Sequence, residues 1–313
     1  MSTLTNTSNR VPAANSTAGT RWRRRLPLLP ALLVVVAVTQ VPMVVTLVIS
    51  TLDWNVLRPD EQGVAFFGNY ATVFSDTRLL AAVLNTVVMV VGVVLLSILL
   101  GTALALLLDR RFPGRAVART LLITPFLVMP MAAALLWKHA IFNPAYGLLN
   151  GVIDSTRGLF GQDTPAHIDW LTDYPMASVI ASLVWQWTPF MMLIVLAGLQ
   201  SRPLDVLEAA RVDGADALRT FRFITLPHLR RYLELGVLLG TIHLVQTFDA
   251  VFVLTQGGPG TATTNLPYEI YLTLFRKYEY GEAAAAGVVV VIGSIVVAMF
   301  ALRVVSSLFR EDE

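Results

Sequence analysis

Long apolar runs alternate with shorter polar stretches along almost the whole chain. Each run reaches about 20 residues or more, the length that an α-helix needs to cross the hydrocarbon core of a bilayer. The pattern therefore predicts an all-α, polytopic membrane protein with six transmembrane helices. The predicted spans are residues 26–52, 80–108, 121–142, 175–199, 232–254 and 283–309. Pro125, Pro130 and Pro189 fall inside the third and fourth spans, where membrane helices tolerate kinks.

Both ends of the chain are polar. Residues 1–20 are rich in Ser, Thr, Asn and Ala, and 21–25 read Arg-Trp-Arg-Arg-Arg, so we expect 1–25 to form a disordered N-terminal tail. The run that follows is too long for the apolar core of a signal peptide and lacks a small-x-small cleavage site at its end. We therefore expect an uncleaved first span at 26–52, and a short C-terminal tail at 310–313.

Composition agrees with a membrane protein. Hydrophobic residues make up 55% of the chain and charged residues 14%, whereas soluble domains carry about 25% charged residues. The chain has no cysteine, which excludes disulfides, iron–sulfur clusters and thiol chemistry. Lysine and arginine are concentrated in the N-terminal tail, the connection between the second and third spans, and the connection between the fourth and fifth. The positive-inside rule therefore predicts cytoplasmic termini in a multi-pass protein of the bacterial cytoplasmic membrane.

The longest polar interruption in the C-terminal half is residues 201–227, which we call the elbow. Its first part has the features of a helix. Ser201 can cap that helix, and Pro203 suits its first turn. Leu204 and Leu207 then repeat at helical spacing.

The elbow continues beyond that first helix. Gly214 would end it in the left-handed conformation, and a second helical piece at 217–224 would run as far as Pro227. The result is a basic, amphipathic helix–glycine–helix unit on the cytoplasmic side. One interpretation is a loop that only anchors positive charge on that side.

Residues for energy conversion or covalent chemistry do not form recognisable motifs. A P-loop needs Gly-Lys followed by Ser or Thr, but the two lysines are Lys138, after Trp137, and Lys277, after Arg276. The four histidines show no metal-binding spacing, and no G-x-S-x-G sequence occurs. We therefore expect neither an enzyme nor a metal or cofactor site on this chain.

Polar and aromatic residues inside the apolar runs are candidates for a translocation pathway. In the fifth span, His243, Gln246 and Asp249 are spaced i, i+3, i+6, which would place them on one helical face. The full set of candidates is Trp185, Gln186, Trp187, His243, Gln246, Phe248 and Asp249. Amides, carboxylates and aromatic rings suit neutral sugars. The alternatives are hydrogen bonds between helices and a tryptophan belt at the interface.

The elbow has a specific spacing. Glu208-Ala209-Ala210 is followed by Gly214, Ile224 and Leu226-Pro227, and this arrangement resembles the EAA loop of binding-protein-dependent ABC importer permeases. The elbow, the six spans and Gly-Gly-Pro at 257–259 together resemble the maltose-type sugar permeases. Three further stretches resemble sorbitol and mannitol permeases more closely; they are residues 135–144, 184–190 and 254–265.

The resemblance implies a type I ABC importer permease fold and a set of partners. These are a second, homologous permease subunit, an ABC ATPase dimer that uses ATP-Mg, and an extracytoplasmic solute-binding protein; no nucleic acid is expected. The elbow would be the coupling helix that docks on the ATPase. The coupling residues that it implies are Glu208, Ala209, Ala210, Asp213, Gly214, Ile224, Leu226 and Pro227.

Three hypotheses about function remain open. The first is an ABC importer permease for a sugar or polyol, and the second is an ABC permease for another class of solute. The third is a secondary carrier or channel. The elbow and the scarcity of acidic residues in the central thirds of the spans weigh against a carrier, because ion-coupled carriers usually keep carboxylates deep in the membrane.

Overall fold

A computed structural model of the chain describes residues 29–110, 112–161 and 167–308. The predicted tails, 1–25 and 310–313, lie outside these residues. The elements are, in chain order, α1 (Leu29–Ile49), β1 (Leu52–Asp53), β2 (Gly63–Val64), α2 (Gly68–Ser75), α3 (Thr77–Asp109), α4 (Arg115–Leu127), α5 (Pro130–Leu136), α6 (Leu148–Leu159), α7 (Trp170–Asp173), α8 (Pro175–Gln200), α9 (Leu204–Val212), α10 (Ala217–Thr220), α11 (Leu226–Val245), α12 (Asp249–Leu254), α13 (Leu266–Phe275) and α14 (Tyr280–Leu308). Short π-helical turns at Trp137–Ile141 and Phe221–Thr225 follow α5 and α10.

The chain divides into two compact units, Met1–Val48 and Ile49–Glu313. The first unit holds nearly all of helix α1, whose residues 30–49 are long and apolar enough to cross a membrane. Pro42 lies inside α1 without ending it. The other helices and both strands belong to the second unit, which is described by itself below.

The long helices α3, α8 and α11 form the centre of the second unit. Helices α3 and α8 pack along much of their length, and α11 packs against both. Gly101 permits the close approach of α3 to α8, because a Cβ at this position would lie 2.8 Å from the backbone nitrogen of Met192. In the part of the core next to the elbow, the buried side chains are Ala105, Leu108, Met192, Val195, Leu196, Leu199, Leu229 and Leu233. A second buried cluster involves the same three helices and lies farther from the elbow.

Within the described residues, four helices are long and apolar enough to cross a membrane, namely Pro30–Ile49, Thr77–Asp109, Pro175–Gln200 and Tyr280–Arg303. A fifth candidate is the bent pair Arg115–Leu127 and Pro130–Ile141. The predicted all-α class and membrane character are confirmed. The six predicted spans do not all correspond to single helices, however, and the third and fifth differ from the prediction.

The third predicted span, 121–142, is broken rather than kinked. Helix α4 ends at Leu127, α5 begins at Pro130, and the two are bent by 100°. Met129, just before the proline, has an extended ψ of 132°. Proline has no N–H to continue the hydrogen-bond ladder, and it disfavours helical geometry in the residue before it. The break therefore falls where Pro130 requires it, whereas Pro125 and Pro189 lie inside continuous helices.

The fifth predicted span, 232–254, is wrong as a single helix. Helix α11 ends at Val245, and the short α12 begins at Asp249. The last N–H groups, of Gln246 and Thr247, bond only three residues back, which closes α11. The carbonyl of Thr247 in the gap accepts a hydrogen bond of 2.5 Å from the side chain of Asn265. A distant side chain therefore supplies the partner that a continuous helix would have provided.

The end of the bundle opposite the elbow is the far end, and it carries a small exception to the all-α class. Strands β1 and β2 pair antiparallel, with Leu52 opposite Val64. Glu279 ties the chain before α14 to this hairpin region, because its carboxylate accepts hydrogen bonds from Asn55 at 2.7 Å and Arg58 at 2.8 Å. Gly281 fits only because it lacks a side chain, since a Cβ would fall on the carbonyl oxygen of Leu52.

Candidate functional site

The elbow is built around a left-handed glycine. Helix α9 ends at Val212, and Gly214 adopts a φ of +76°. The N–H of Ala215 then bonds the carbonyl of Ala210 at 2.9 Å, and the N–H of Gly214 bonds that of Arg211 at 3.1 Å. These bonds satisfy carbonyls that the end of the helix would leave without partners. The predicted left-handed stop at Gly214 is confirmed.

Ser201 does not cap the first elbow helix, contrary to the prediction. The residue at the cap position is Pro203, which offers no side-chain acceptor. Ser201 instead closes the preceding helix, α8, by donating its hydroxyl to the carbonyl of Gly198 at 2.9 Å. Its oxygen also lies 3.0 Å from Nε2 of His228 and 2.7 Å from the hydroxyl of Tyr232. Ser201 therefore joins the end of α8 to the beginning of α11.

Pro227 does not end the second elbow helix, which is a second correction. Asp216 caps α10 by accepting a hydrogen bond from the N–H of Arg219 at 2.7 Å. The chain then passes through the π-helical turn Phe221–Thr225 directly into α11. Proline is tolerated in the first turn of a helix, and a π turn can absorb the hydrogen bond that it cannot make. The elbow is therefore continuous with the fifth predicted span.

The predicted coupling residues differ in exposure. Glu208, Ala209, Asp213 and Pro227 are exposed, Ile224 and Leu226 are half-buried, and Ala210 is buried. Within the described residues, no hydrogen bond or ion pair is seen for the Glu208 carboxylate. Large apolar side chains are also exposed on the elbow; they are Leu204, Val206, Val212, Leu218 and Phe223. Several exposed apolar side chains on one short segment that also exposes an acidic residue are typical of a protein-binding surface.

Arg202 connects the elbow to the bundle. Its guanidinium forms an ion pair of 2.5 Å with Asp109, the last residue of α3. It also donates to the carbonyl of Leu199 at 2.9 Å and to the hydroxyl of Thr225 at 3.0 Å. Sequence reasoning counted Arg202 only as one of the elbow's positive charges. Its partner is distant in sequence, so no local pattern could have identified the contact.

The continuous helix that the predicted shared face of His243, Gln246 and Asp249 requires is absent from this segment. Spacing of i, i+3, i+6 aligns residues only along one helix, and α11 ends before Gln246 while α12 starts at Asp249. His243 and Gln246 are exposed, and Asp249 is half-buried at the beginning of α12. In the described part of the chain, neither Gln246 nor Asp249 shows a side-chain hydrogen bond.

His243 instead meets an aromatic cluster formed with α8 and α4. Its ring centroid lies 5.6 Å from that of Trp187. Trp187 contacts Phe190 at 5.5 Å and Phe126 at 5.8 Å, and these two phenylalanines stack at 5.4 Å. Phe126 and Phe190 were not predicted. Phe190 lies three residues after Trp187 on the same helix, a spacing that could have identified it, whereas Phe126 is placed by the fold.

Trp185 and Gln186 make other contacts. Trp185 contacts Trp137 at 6.0 Å and lines an apolar groove of about 900 Å³ with residues of α3 and α4. Gln186 is buried, and its side-chain amide donates to the carbonyl of Val128 at 3.1 Å, in the gap between α4 and α5. Gln186 therefore makes a hydrogen bond between separate helical segments, which was the alternative to a place in the pathway.

Phe248 belongs to a second aromatic cluster at the far end. Its ring lies 5.1 Å from Phe252 and 5.3 Å from Tyr271. Tyr268 packs beside them, and its burial raises the pKa of its hydroxyl, so this group stays neutral. The neighbouring segment 254–265 is fixed by its own hydroxyls and by Asn85, which donates to two of its carbonyls. Phe248 thus has a packing role in the structure.

Comparisons with known proteins agree with this architecture. Residues 112–311 match the family described as "Binding-protein-dependent transport system inner membrane component". The chain is 34% identical to the trehalose/maltose transport system permease protein MalF of Thermococcus litoralis, over 88% of this chain and 90% of that protein. It is 30% identical to the trehalose transport system permease protein SugA of Mycobacterium tuberculosis, over 89% and 88%.

Solved structures show the same fold at low sequence identity. A crystal structure of a bacterial alginate ABC transporter, in complex with a periplasmic protein that holds an alginate pentasaccharide, contains a chain that matches with a TM-score of 0.76. It is 19% identical, and the match covers 93% of this chain and 96% of that one. With its apolar helices, the chain is a multi-pass membrane protein. It belongs to the family of inner membrane components of binding-protein-dependent transport systems.

Proposed function

We propose that this chain is the permease subunit of an ATP-binding-cassette importer and forms the translocation pathway for a neutral sugar or sugar alcohol. The observation that carries this proposal is the elbow. It exposes Glu208, Ala209 and several large apolar side chains, and Gly214 turns the chain sharply after α9. A surface of this kind suits docking on a separate ATPase subunit, and family membership supports the same assignment.

The proposed partners follow from that role. An ABC ATPase dimer would bind the elbow and use ATP-Mg, so that this chain itself carries no nucleotide. A second, homologous permease would complete the pathway, and an extracytoplasmic binding protein would deliver the solute at the far end. The arginine-rich elbow favours a cytoplasmic position for that end of the bundle, with both termini cytoplasmic.

The substrate class rests on the Trp187 cluster and on the relatives. Trp187, His243 and Phe190 bring aromatic faces beside an imidazole that can donate or accept a hydrogen bond. Gln246, which is also exposed, is proposed as a further hydrogen-bonding group of the pathway. Sugars combine apolar C–H faces with hydroxyl groups, so they suit such a lining. Relatives named for trehalose and maltose support a saccharide, and residues 254–265 carry the resemblance to sorbitol and mannitol permeases.

A transport assay across solute classes tests the proposal. The chain would be produced with the ATPase, permease and binding-protein genes beside its own gene, in a host that lacks the corresponding uptake. Uptake of labelled trehalose, maltose, sorbitol and mannitol would be compared with that of an amino acid. We expect ATP-dependent uptake of at least one of the four carbohydrates. Uptake of the amino acid alone would place the chain in an importer for another solute class, and uptake without any ATPase would support a secondary carrier.

A further inference from the structure

Arg202, near the start of the elbow, contacts the end of α3, the last turn of α8 and the π turn that leads into α11. Its Nη2 lies 2.5 Å from Oδ2 of Asp109, at the end of α3. Its Nε donates to the carbonyl of Leu199 in the last turn of α8 at 2.9 Å. Its Nη1 donates to the hydroxyl of Thr225, in the π turn that leads into α11, at 3.0 Å. One guanidinium therefore holds the ends of three long helices together.

The surroundings of Arg202 make these contacts strong. Its side chain is 14% exposed and that of Asp109 is 28% exposed, and Thr225 is buried. Hydrogen bonds to ionised groups are stronger than neutral ones, and partial burial limits screening by water and salt. The planar fork of arginine can bond three acceptors in fixed directions, which the single ammonium group of lysine cannot reproduce.

Helix α9 has little other attachment. It begins two residues after Arg202, and Ala210 is its one buried residue. Its side chains Leu204, Val206 and Val212 are exposed. Two clefts beside α9, of about 330 and 510 Å³, are both lined by Arg202. A displacement of α9 would therefore reach the bundle first through Arg202.

We propose that Arg202 is a positioning residue that transmits movement of α9 jointly to α3, α8 and α11. This inference rests on the proposed function, in which α9 docks on the ATPase. The inference adds a specific route. Helix α3 is not next to the elbow along the chain, so the ion pair with Asp109 is what carries the movement to α3. Without Arg202, α9 would still bind its partner but would move independently of α3.

Three variants and one matched control separate this role from general stabilisation. Arg202→Gln removes the charge, Asp109→Asn removes the partner, and Arg202→Lys keeps the charge without the fork. The control is Arg230→Gln, because Arg230 pairs with Glu234 at 3.0 Å with similar partial exposure. Both members of that ion pair lie on α11, so the pair lies within a single helix.

The first measurement uses this chain alone. Because the sequence has no cysteine, spin labels can be placed at Val212→Cys on α9 and Leu107→Cys on α3, which are 88% and 55% exposed. Pulsed electron–electron double resonance on the purified chain should give a narrow distribution of distances between the two labels in the parent and in Arg230→Gln. We expect a clearly broader one in Arg202→Gln and Asp109→Asn. Equal widths in all four proteins would overturn the proposal.

The second measurement uses the assembled importer. We expect Arg202→Gln to retain the ATPase on co-purification, while solute transported per ATP hydrolysed falls by about tenfold, as the loss of a charge-assisted hydrogen bond can cause. Arg202→Lys should be intermediate, and Arg230→Gln should match the parent. An unchanged transport-to-hydrolysis ratio in Arg202→Gln would overturn the proposal, even if protein yield drops. A parent that binds no ATPase would overturn the proposed function itself, and the distance measurement would still show whether Arg202 fixes α9.

Discussion

Gln186 donates its side-chain amide to the carbonyl oxygen of Val128 at a distance of 3.1 Å. Val128 lies in the gap where the third predicted span breaks, so its carbonyl has no partner in a continuing helix. Irregular backbone at membrane depth is tolerated only where its polar groups are satisfied by protein or water. The buried amide of Gln186 therefore stabilises the break between α4 and α5.

Removal of this amide should destabilise the chain. Gln186→Leu keeps a similar volume but removes the donor from the carbonyl of half-buried Val128, which costs up to about 1–3 kcal/mol. We expect a lower midpoint of thermal unfolding for the purified variant in detergent. Gln246→Leu is the control, because Gln246 is exposed and shows no side-chain hydrogen bond within the described residues. Equal destabilisation by both substitutions would show that the hydrogen bond to Val128 does not contribute to stability.

The two tryptophans on either side of Gln186 should differ in transport. Trp187→Ala removes the centre of the cluster with Phe126, Phe190 and His243, so we expect KM for carbohydrate uptake to rise by roughly three- to tenfold through lost aromatic contact. Trp185→Ala, in the apolar groove, should change KM less. The check is initial uptake rate against solute concentration at matched membrane level. A larger effect of Trp185→Ala on KM would indicate that the solute passes through the groove lined by Trp185.

A side chain at Gly214 should disturb the elbow through backbone conformation alone. A Cβ there meets no atom within 4 Å, but φ is +76°. Gly214→Ala therefore costs on the order of 1 kcal/mol from the left-handed conformation, and a β-branched Gly214→Val costs more. We expect progressively weaker ATPase co-purification from Ala to Val. Gly151→Ala is the matched control, since Gly151 is equally uncrowded but has no positive φ. Retention of the ATPase by Gly214→Val at the parental ratio would contradict the docking role of the elbow.

Two adjacent alanines of the elbow should separate docking from folding. Ala209 is exposed and Ala210 is 8% exposed. Ala209→Glu should therefore leave thermal unfolding of the isolated chain unchanged and still displace the ATPase, because a charge would enter the proposed interface. Ala210→Glu should lower both the unfolding midpoint and ATPase binding, since a carboxylate cannot be buried there without a partner. If Ala209→Glu binds the ATPase normally, the docking surface lies elsewhere on the elbow.

The predicted orientation can be tested by reporter fusions. Fusions after Leu52, Leu108, Phe142, Leu199 and Leu254 should read outside, inside, outside, inside and outside, because the arginine-rich connections favour the cytoplasm. This orientation requires the broken third and fifth spans each to cross the membrane. A fusion after Leu199 that reads outside would contradict both the orientation and the proposed position of the elbow next to an ATPase.

The sequence by itself determined the features that depend on neighbouring residues. Apolar runs of membrane-spanning length identified an all-α membrane protein, and the spacing from Glu208 to Pro227 identified the elbow. The left-handed turn at Gly214 was also predictable, because a backbone with positive φ favours glycine whatever surrounds it. In each case the physical cause lies within a few residues along the chain.

Only the tertiary structure decided where helices break and which polar groups meet. The fifth span ends at Val245 although no proline or glycine marks the gap, since Asn265 supplies a donor to Thr247 from another segment. Helical periodicity therefore does not extend from His243 to Asp249. Arg202 likewise pairs with a residue 93 positions earlier. Such contacts depend on how α3, α8 and α11 pack, and that packing brings together side chains whose separation along the chain carries no periodic pattern.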